Sequence, residues 1–383
     1  MKHCLSLCVA ITILMLAPSL LFDSASAAQD SVKIGVLLPT TGPDAEKGLS
    51  IYEGITTAQS FKPDIAGAPV TLISVDTESS EKSSAQAMKR LVDKDKVLAI
   101  IGETGFMTTD SGCALSRKAE VPLVAPALFD ASLPSDCDFL FRTCFPDALQ
   151  GWAGAWYAHE DLHIKNAAIL IDISDEESIE HASLFKQSLT DLGGKIVAVA
   201  YCQSGDVDFS VQLEHIISQK AELLFLPGSY HEVARFCAQA LRLGYKGYML
   251  STRKAHLPQL IDLGGESVEG MLLIDLFDIH ALSTELGRSY ADAFMNKKGT
   301  ELNRINALGA DAYFVLRSAL ERAQSLSGQA IRKALADTTA FPGTTGLITL
   351  NDEDNTRTTC NVFQVKEGAF TYLKSISPGL KTQ

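Results

Sequence analysis

The sequence predicts an α/β fold made of two similar halves. Short apolar runs alternate with amphipathic helices, and this alternation ends near Phe145 and Pro146 and then starts again. No Pro/Ser-rich or low-complexity linker separates the halves. Strands connected by helices of this length form right-handed βαβ units and a parallel sheet. We therefore expect two α/β lobes that pack against each other rather than two independent domains connected by a flexible linker.

The first half contains four predicted strands with helices between them. The first strand is closed by Pro39 and the turn residues Gly42 and Pro43. The predicted strands are residues 32–38, 69–75, 97–101 and 121–125. The predicted helices are residues 48–61, 83–93 and 110–119.

The second half repeats the pattern and adds a tail. The predicted strands are residues 167–171, 195–201, 223–226 and 247–250. The predicted helices are residues 148–158, 179–192, 209–218, 232–243 and the long 307–324. Residues 346–373 have the pattern of short antiparallel strands.

Residues 1–27 predict a secretory signal peptide. Lys2 begins a basic region, residues 5–16 are almost continuously apolar, and residues 25–27 read Ala-Ser-Ala, a cleavage signal after Ala27. A membrane anchor is the less favoured interpretation, because Pro18 and Asp23 interrupt the apolar run before it could span a bilayer. The protein is therefore expected to be exported.

Composition and charge argue against two classes of protein, disordered chains and nucleic-acid-binding proteins. Of the 383 residues, 46% are hydrophobic and 21% charged, which is enough apolar material for a large core and argues against disorder. The formal net charge of -13 argues against nucleic acid as a partner, because binding to phosphates requires a basic surface.

The cysteine pattern suggests one disulfide in an oxidising compartment. Six cysteines follow the signal peptide: Cys113, Cys137, Cys144, Cys202, Cys237 and Cys360. Cys137 and Cys144 flank a short apolar run and are the first candidates for a disulfide. Buried thiols are the alternative. The spacing contains no CxxC or Cys/His cluster that would indicate zinc.

Motifs for cofactor chemistry are absent from the sequence, so no cofactor is predicted. The first strand is not followed by GxGxxG, and the chain has neither a Walker loop nor a GxSxG nucleophile elbow.

His159, Glu160 and His163 match HExxH, the pattern of zinc hydrolases. The pattern lies across the predicted end of a helix, whereas a zinc-binding pair needs an unbroken helical turn. A polar helix end is therefore the favoured interpretation.

An acidic run follows the strand at residues 167–171. Its members are Asp172, Asp175, Glu176, Glu177 and Glu180. Calcium binding is one interpretation, but the Gly and Glu spacing of an EF-hand is missing. A solvated helix N-terminus, where the helix dipole favours acidic residues, is the other and is preferred.

Motifs in order along the chain resemble one known family. They are residues 33–39 (KIGVLLP), 41–43, Asp76, 99–102, 121–126, 141–142, 228–231, 243–245, 268–271 and 342–346 (PGTTG). Together they cover nearly all of the mature chain, and their order resembles the branched-chain amino-acid (leucine/isoleucine/valine) binding proteins of ABC transporters, which are type I periplasmic solute-binding proteins.

The resemblance implies two Rossmann-like lobes with parallel sheets, joined by a three-segment hinge. It implies that residues 28–145 plus 279–340 form lobe I and that residues 146–278 plus 341–383 form lobe II. The implied protein is a periplasmic monomer that closes on a small carboxylate or amino-acid-like ligand and delivers it to an ABC permease in the inner membrane.

The resemblance also implies the ligand-binding positions. They are Phe106, Met107 and Thr108 in one lobe I loop, Ala127, Leu128 and Phe129 in another, and Ser178, Tyr230 and Arg253 in lobe II. Phe129 stands where relatives place a threonine, and Ser178 lies near a position where relatives carry an aromatic residue, which leaves room for a bulkier ligand.

Arg253, followed by Lys254, lies where relatives carry the carboxylate that pairs with the ligand's ammonium. A cation at this position would repel an ammonium and favour a carboxylate. The hypothesis is a ligand without an α-ammonium, held by Arg253 between Phe106, Phe129 and Tyr230. In the alternative, the loop directs Arg253 to solvent and the aromatic residues simply pack.

The expected function is therefore solute capture for import, without catalysis. A ligand-sensing subunit for a membrane receptor is the alternative within binding proteins. An exported HExxH zinc hydrolase is the less favoured alternative from a different class.

Overall fold

The computed structural model describes residues 31–102, 110–128, 137–144, 149–350 and 359–376. The predicted signal peptide, residues 1–27, lies outside the described residues. Within the described part of the chain, no helix combines the length and apolar character needed to cross a membrane.

The first sheet has six strands in the order β2-β3-β1-β4-β5-β6. They are β1 (Val32–Leu38), β2 (Asp64–Ile65), β3 (Ala68–Asp76), β4 (Ala99–Gly102), β5 (Leu123–Ala125) and β6 (Leu140–Arg142). All neighbours run parallel except β2 and β3, which form an antiparallel hairpin. The buried faces of these strands are rich in Val, Ile and Leu, as expected for a parallel sheet covered on both sides.

The second sheet has seven strands and is mixed. Its parallel strands are β7 (Asn166–Asp172), β8 (Lys195–Cys202), β9 (Leu223–Leu226), β10 (Tyr248–Ser251) and β11 (Leu272–Asp275). A short hairpin of β12 (Phe341–Pro342) and β13 (Leu347–Ile348) follows along the chain. Two antiparallel strands, β14 (Cys360–Lys366) and β15 (Ala369–Ile376), complete the sheet in the order β15-β14-β11-β10-β9-β7-β8.

Helices cover the two sheets. They are α1 (Ala45–Phe61), α2 (Glu81–Arg90), α3 (Asp110–Ala119), α4 (Leu149–Glu160), α5 (Glu176–Asp191), α6 (Ser210–Ser218), α7 (Tyr230–Arg242), α8 (Pro258–Gly264), α9 (Glu285–Lys298), α10 (Arg304–Arg322) and α11 (Gly328–Ala336). One hydrophobic core joins the first sheet with α1 and the late helices α9 to α11. Separate cores lie on the two faces of the second sheet. The α/β fold with two lobes and mainly parallel sheets, predicted from the sequence, is confirmed.

The chain passes between the lobes three times: after β6, after β11 and after α11. The second and third passages are tied together where the Thr284 hydroxyl donates to the Gly343 carbonyl at 2.6 Å. Because the late helices return to the first lobe's core, each lobe is assembled from distant parts of the chain. The lobe boundaries at residues 145/146, 278/279 and 340/341 stay a prediction.

The disulfide differs from the sequence prediction. Cys137 bonds to Cys113 on α3, with a Cα–Cα distance of 4.9 Å, so the predicted Cys137–Cys144 pair is wrong. Cys137 and Cys144 lie at opposite ends of β6, and extended chain holds such residues apart. Packing of α3 beside the first sheet brings Cys113 to Cys137 instead. The Cys144 thiol donates to the Leu128 carbonyl at 3.1 Å.

Candidate functional site

The predicted ligand-binding residues follow the carboxyl ends of parallel strands in both sheets. This edge is where open α/β sheets bind ligands. Phe106, Met107 and Thr108 come after β4, and Phe129 comes after β5; these four lie outside the described residues. The structure describes the other five: Ala127, Leu128, Ser178, Tyr230 and Arg253.

On the lobe I side, the described part of the β5 loop is anchored by its backbone. Ala127 is buried, and its carbonyl accepts a hydrogen bond from Lys47 Nζ at 3.2 Å. Leu128 is half-buried. Lys47 therefore brings a half-buried cation from the start of α1 to this loop. Sequence reasoning missed Lys47, because nothing in the local pattern relates α1 to a loop eighty residues away.

The neighbouring turn after β1 is held by Asp76 at the end of β3. Asp76 accepts hydrogen bonds from the Thr40 and Glu78 amides, both at 2.9 Å, and from the Thr41 hydroxyl at 2.7 Å. Partial burial raises the pKa of Asp76, but the hydrogen bonds outweigh it and lower the pKa to about 2. Asp76 is thus an ionised carboxylate that fixes one rim of the lobe I edge.

On the lobe II side, Tyr230 is the first residue of α7. A capping box between Ser229 and Glu232 sets the start of this helix directly after β9. The Tyr230 ring is half-buried and lies 3.9 Å from the His231 ring, centroid to centroid. The predicted aromatic residue is therefore presented at the carboxyl edge of the second sheet.

Arg253 lies in a 3-10 turn, Arg253–Ala255, directly after β10. Its backbone N–H donates to Gln150 Oε1 at 2.8 Å, which connects this loop to the start of α4. Its side chain is 29% exposed, and Nη2 lies 4.0 Å from Glu177 Oε2. The guanidinium is thus neither fully solvated nor isolated from negative charge.

Lys254 joins the same cluster. Its Nζ lies 2.6 Å from Asp175 Oδ2 and 3.2 Å from Glu177 Oε2. Burial lowers the pKa of Lys254, but the hydrogen bond and the two neighbouring carboxylates outweigh it, and the net shift is upward. The acidic run after β7 is therefore not simply solvated, as preferred from the sequence: two of its members pair with the cations after β10. No group of three or more potential metal-ligating side chains occurs among the residues described.

Ser178 lies in the interior of lobe II. It is fully buried, and its hydroxyl accepts a hydrogen bond from the Asp172 amide at 3.1 Å. The resemblance implied that Ser178 lines the ligand site, but in this structure it does not lie on an open surface. Consecutive helical residues point in different directions around the axis. Because Glu177 faces Arg253, the next residue in the first turn of α5 points toward the sheet.

The HExxH pattern does not lie on one helix. The helix α4 ends at Glu160, and His163 follows it with a left-handed backbone (φ 57°). The His159 Nδ1 atom lies 2.8 Å from Glu160 Oε1 of the adjacent residue. The helical turn that would bring the two imidazoles onto one metal ion is therefore interrupted.

Three buried thiols have the properties of core residues. Burial raises the pKa of Cys202, Cys237 and Cys360 to about 12 in each case. A thiol acts as a nucleophile through its thiolate form. These cysteines are therefore protonated at neutral pH.

Two α/β lobes with polar and charged side chains after the carboxyl ends of their strands are typical of hinged ligand-binding proteins. The chain belongs to the periplasmic binding protein family, whose sequence profile matches residues 31–369. The resemblance noted from the sequence is thereby confirmed: this is a type I periplasmic binding protein resembling branched-chain amino-acid binding proteins. The family consists of periplasmic solute-binding proteins.

Three relatives illustrate the range. The Leu/Ile/Val-binding protein homolog 3 of Brucella melitensis is 25% identical over 360 residues, which cover 91% of this chain and 95% of the relative. The structure of a leucine-binding protein, LivK, from Thermotoga maritima is 34% identical, with a TM-score of 0.62 and coverage of 91% and 99%. A solute-binding protein of an ABC transporter from R. palustris, in complex with benzoate, shares the fold at 19% identity, a TM-score of 0.60 and coverage of 90% and 96%.

Proposed function

We propose that this protein is an exported solute receptor that binds a small carboxylate-bearing compound between its lobes and delivers it to an ABC importer. Membership of the periplasmic binding protein family supports the capture and import role. The observation that carries the ligand class is Arg253, a partly buried guanidinium at the end of β10, beside the strand that leads to Tyr230.

The ligands named for the relatives support a carboxylate group as the recognised feature and do not point to one particular compound. One named relative binds leucine, and another holds benzoate. An amino acid and an aromatic acid differ in charge and shape, but both carry a carboxylate. Guanidinium groups bind carboxylates with two parallel hydrogen bonds, which fixes orientation as well as adding affinity.

The mechanism follows from the three passages between the lobes. A ligand first contacts the edge of one lobe, and rotation about the passages then brings the other edge onto it. Closure removes water and strengthens the charged contacts. Tyr230 supplies apolar contact area, and Arg253 supplies the hydrogen bonds that select the carboxylate.

The aromatic slot of the hypothesis includes Phe106 and Phe129, which lie outside the described residues. Glu177 modifies the electrostatic argument made from the sequence. A carboxylate 4.0 Å from the Arg253 guanidinium reduces the repulsion of an ammonium group. We therefore propose that the ligand of this chain carries a carboxylate. We do not propose that the site rejects amino acids.

Mass spectrometry of the compound that co-purifies with the protein, followed by calorimetry on ligand-stripped protein, tests this function. The panel is leucine, valine, 4-methylpentanoate and benzoate, each with its amide as the matched compound that lacks the carboxylate. We expect the carboxylates to bind and the amides to bind at least about tenfold more weakly. Arg253→Ala should lose this preference, and Arg242→Ala, an exposed arginine on α7, should keep it. Tight binding of a compound without a carboxylate, unaffected by Arg253→Ala, contradicts the proposal.

The alternatives are separated by different observations. A sensing subunit would bind the same ligand but associate with a membrane receptor instead of a permease. An HExxH hydrolase would contain stoichiometric zinc that is lost in His159→Ala. We expect no zinc in the purified protein.

A further inference from the structure

A buried histidine connects two loops at the carboxyl edge of the second sheet. His256 directly follows the 3-10 turn Arg253–Ala255 after β10, and Asp275 is the last residue of the neighbouring strand β11. The His256 Nδ1 atom lies 2.7 Å from Asp275 Oδ2, and the two side chains are only 8% and 9% exposed. Because a carboxylate only accepts hydrogen bonds, Nδ1 is the donor. This buried pair therefore joins a loop of the candidate site to the end of β11.

Asp275 also fixes the start of the second passage between the lobes. Its Oδ1 atom accepts hydrogen bonds from the backbone amides of Leu276 at 2.6 Å and Phe277 at 3.3 Å, the first two residues after β11. An Asp side chain that binds the amides of the following residues sets the direction of a turn. The carboxylate thus holds the first residues of the passage with one oxygen and His256 with the other.

The His256 ring is itself held in place by its surroundings. Its centroid lies 4.5 Å from that of Phe363 on β14 and 4.3 Å from that of Phe370 on β15. The His256 backbone N–H donates to the Arg253 carbonyl at 2.9 Å, which closes the 3-10 turn. Aromatic packing and this hydrogen bond leave the ring little freedom to turn away from Asp275. A displacement of the turn is therefore passed on to the carboxylate and to the amides that it binds.

We infer that His256 is a positioning residue for lobe closure: through Asp275 it couples the turn after β10 to the second passage. This inference rests on the proposed function, because it requires a ligand that closes the two lobes. Closure changes the direction of the passages, and packed and hydrogen-bonded groups carry such coupling between two places. Without the pair, a ligand would still contact the turn, but less of its contact energy would favour the closed arrangement. The measured affinity would then fall.

Two substitutions of His256 separate the hydrogen bond from the packing. Leucine has the size to pack against the two phenylalanine rings but cannot donate to Asp275. Asparagine can place an amide N–H near the position of Nδ1 but packs less well. If the hydrogen bond positions the passage, His256→Asn behaves like the wild type and His256→Leu does not. A role in packing alone predicts the reverse order.

The first measurement needs no ligand. Hydrogen–deuterium exchange, followed by mass spectrometry of peptides that cover Leu276 and Phe277, reports how firmly these two amides are held. We expect their exchange to be about fivefold faster in His256→Leu than in the wild type, and nearly unchanged in His256→Asn. His215→Gln is the matched control, because His215 is an exposed histidine on α6 in the same lobe, and it should leave this exchange unchanged.

The second measurement is the dissociation constant of the ligand-stripped protein for leucine, valine, 4-methylpentanoate and benzoate. For each compound that binds the wild type, we expect His256→Leu to weaken binding by about tenfold, and His256→Asn to bind within about threefold of the wild type. Phe209→Leu, a substitution in the core of the same lobe, should lower the thermal stability without changing the affinity. This control separates coupling from a general loss of stability.

The inference is overturned if His256→Leu keeps the wild-type exchange at Leu276 and Phe277, or if it binds ligand as tightly as the wild type. It is also overturned if His256→Asn is impaired as much as His256→Leu, or if Phe209→Leu loses as much affinity as His256→Leu. If none of the four compounds binds the wild type, the proposed ligand class has failed. The exchange measurement then still supports or overturns the link between His256 and the passage.

Discussion

At the scale of single residues, Asp311 is the buried charge on which the third passage between the lobes depends. It is fully buried on α10, and its carboxylate accepts from the backbone amides of Thr344 and Thr345 and from the Thr345 hydroxyl at 2.7 Å. These threonines belong to the PGTTG segment at residues 342–346. Asp311 therefore holds the passage to the core of lobe I.

The titration of Asp311 predicts how stability depends on pH. Burial raises the pKa of Asp311 from 3.8 to about 6, although its hydrogen bonds partly oppose the shift. A carboxyl with a raised pKa in the folded state binds its proton more tightly when folded. Its contribution is greatest below pH 3.8 and is lost as the pH rises through 6, by up to about 3 kcal/mol.

The measurement is the free energy of unfolding of the wild type and of Asp311→Asn, which does not titrate, between pH 4 and pH 7. The difference between the two proteins isolates this group from all other titrations. We expect the wild type to lose stability relative to the variant as the pH rises. A constant difference, or a wild type that gains on the variant, contradicts the prediction.

Sequence reasoning found the PGTTG segment but not its partner. An Asp within the predicted helix 307–324 is compatible with a solvated helix face, and only packing reveals that position 311 faces inward. The same limit applies to Arg253. Its position after a strand and beside Lys254 was predictable from the sequence. The contact of these two cations with Glu177 joins two separate loops and was not predictable.

At the scale of secondary-structure elements, clear hydrophobic patterns in the sequence predicted where some strands and helices begin and end. The strand Leu223–Leu226 and the helix Asp110–Ala119 have the predicted limits. The helices α9 and α11 and the strand β11 were missed. Only Gly287, Tyr290 and Phe294 of α9 are buried, so its apolar stripe is narrow and the rest of the helix reads as polar surface.

The disulfide between α3 and the segment before β6 predicts a measurable contribution to stability. It closes a loop with a sequence separation of 24, which contains the proposed ligand-binding positions Ala127 to Phe129. In the chain-entropy account, a loop of this length contributes about 3 to 4 kcal/mol, so we expect reduction to lower the free energy of unfolding by that amount.

Peptide mapping without reductant identifies the pair. Peptides containing Cys113 and Cys137 should be linked in the wild type and in Cys144→Ala, which serves as the control. A linkage between Cys137 and Cys144 would restore the sequence-based pairing and contradict the structure.

At the scale of the whole molecule, the two lobes and three passages predict that ligand binding compacts the protein. We expect the radius of gyration from small-angle X-ray scattering to fall when a carboxylate that binds in calorimetry is added to ligand-stripped protein. The reason is that the two lobes rotate toward each other. Arg253→Ala at the same ligand concentration should show no change. Equal compaction of both proteins would mean that closure does not depend on Arg253.

The net charge of -13 describes the molecule as a whole and not its site. After β7 and β10, two cations, Arg253 and Lys254, are paired with two of the carboxylates of the acidic run, Asp175 and Glu177. Averages over the chain argue against nucleic acid as a partner but contain no information about such a cluster.

The sequence by itself determined the alternating α/β pattern, the restart that separates two halves and the motifs of the family, because each of these depends on residues close together along the chain. Only the tertiary structure decided which cysteine pairs with Cys137, that Ser178 faces inward, and that Lys254 is bound by Asp175 and Glu177. Each of these is a contact between separate elements. Local patterns do not specify such contacts, because they depend on the order of strands in the sheet and on how the helices pack against it.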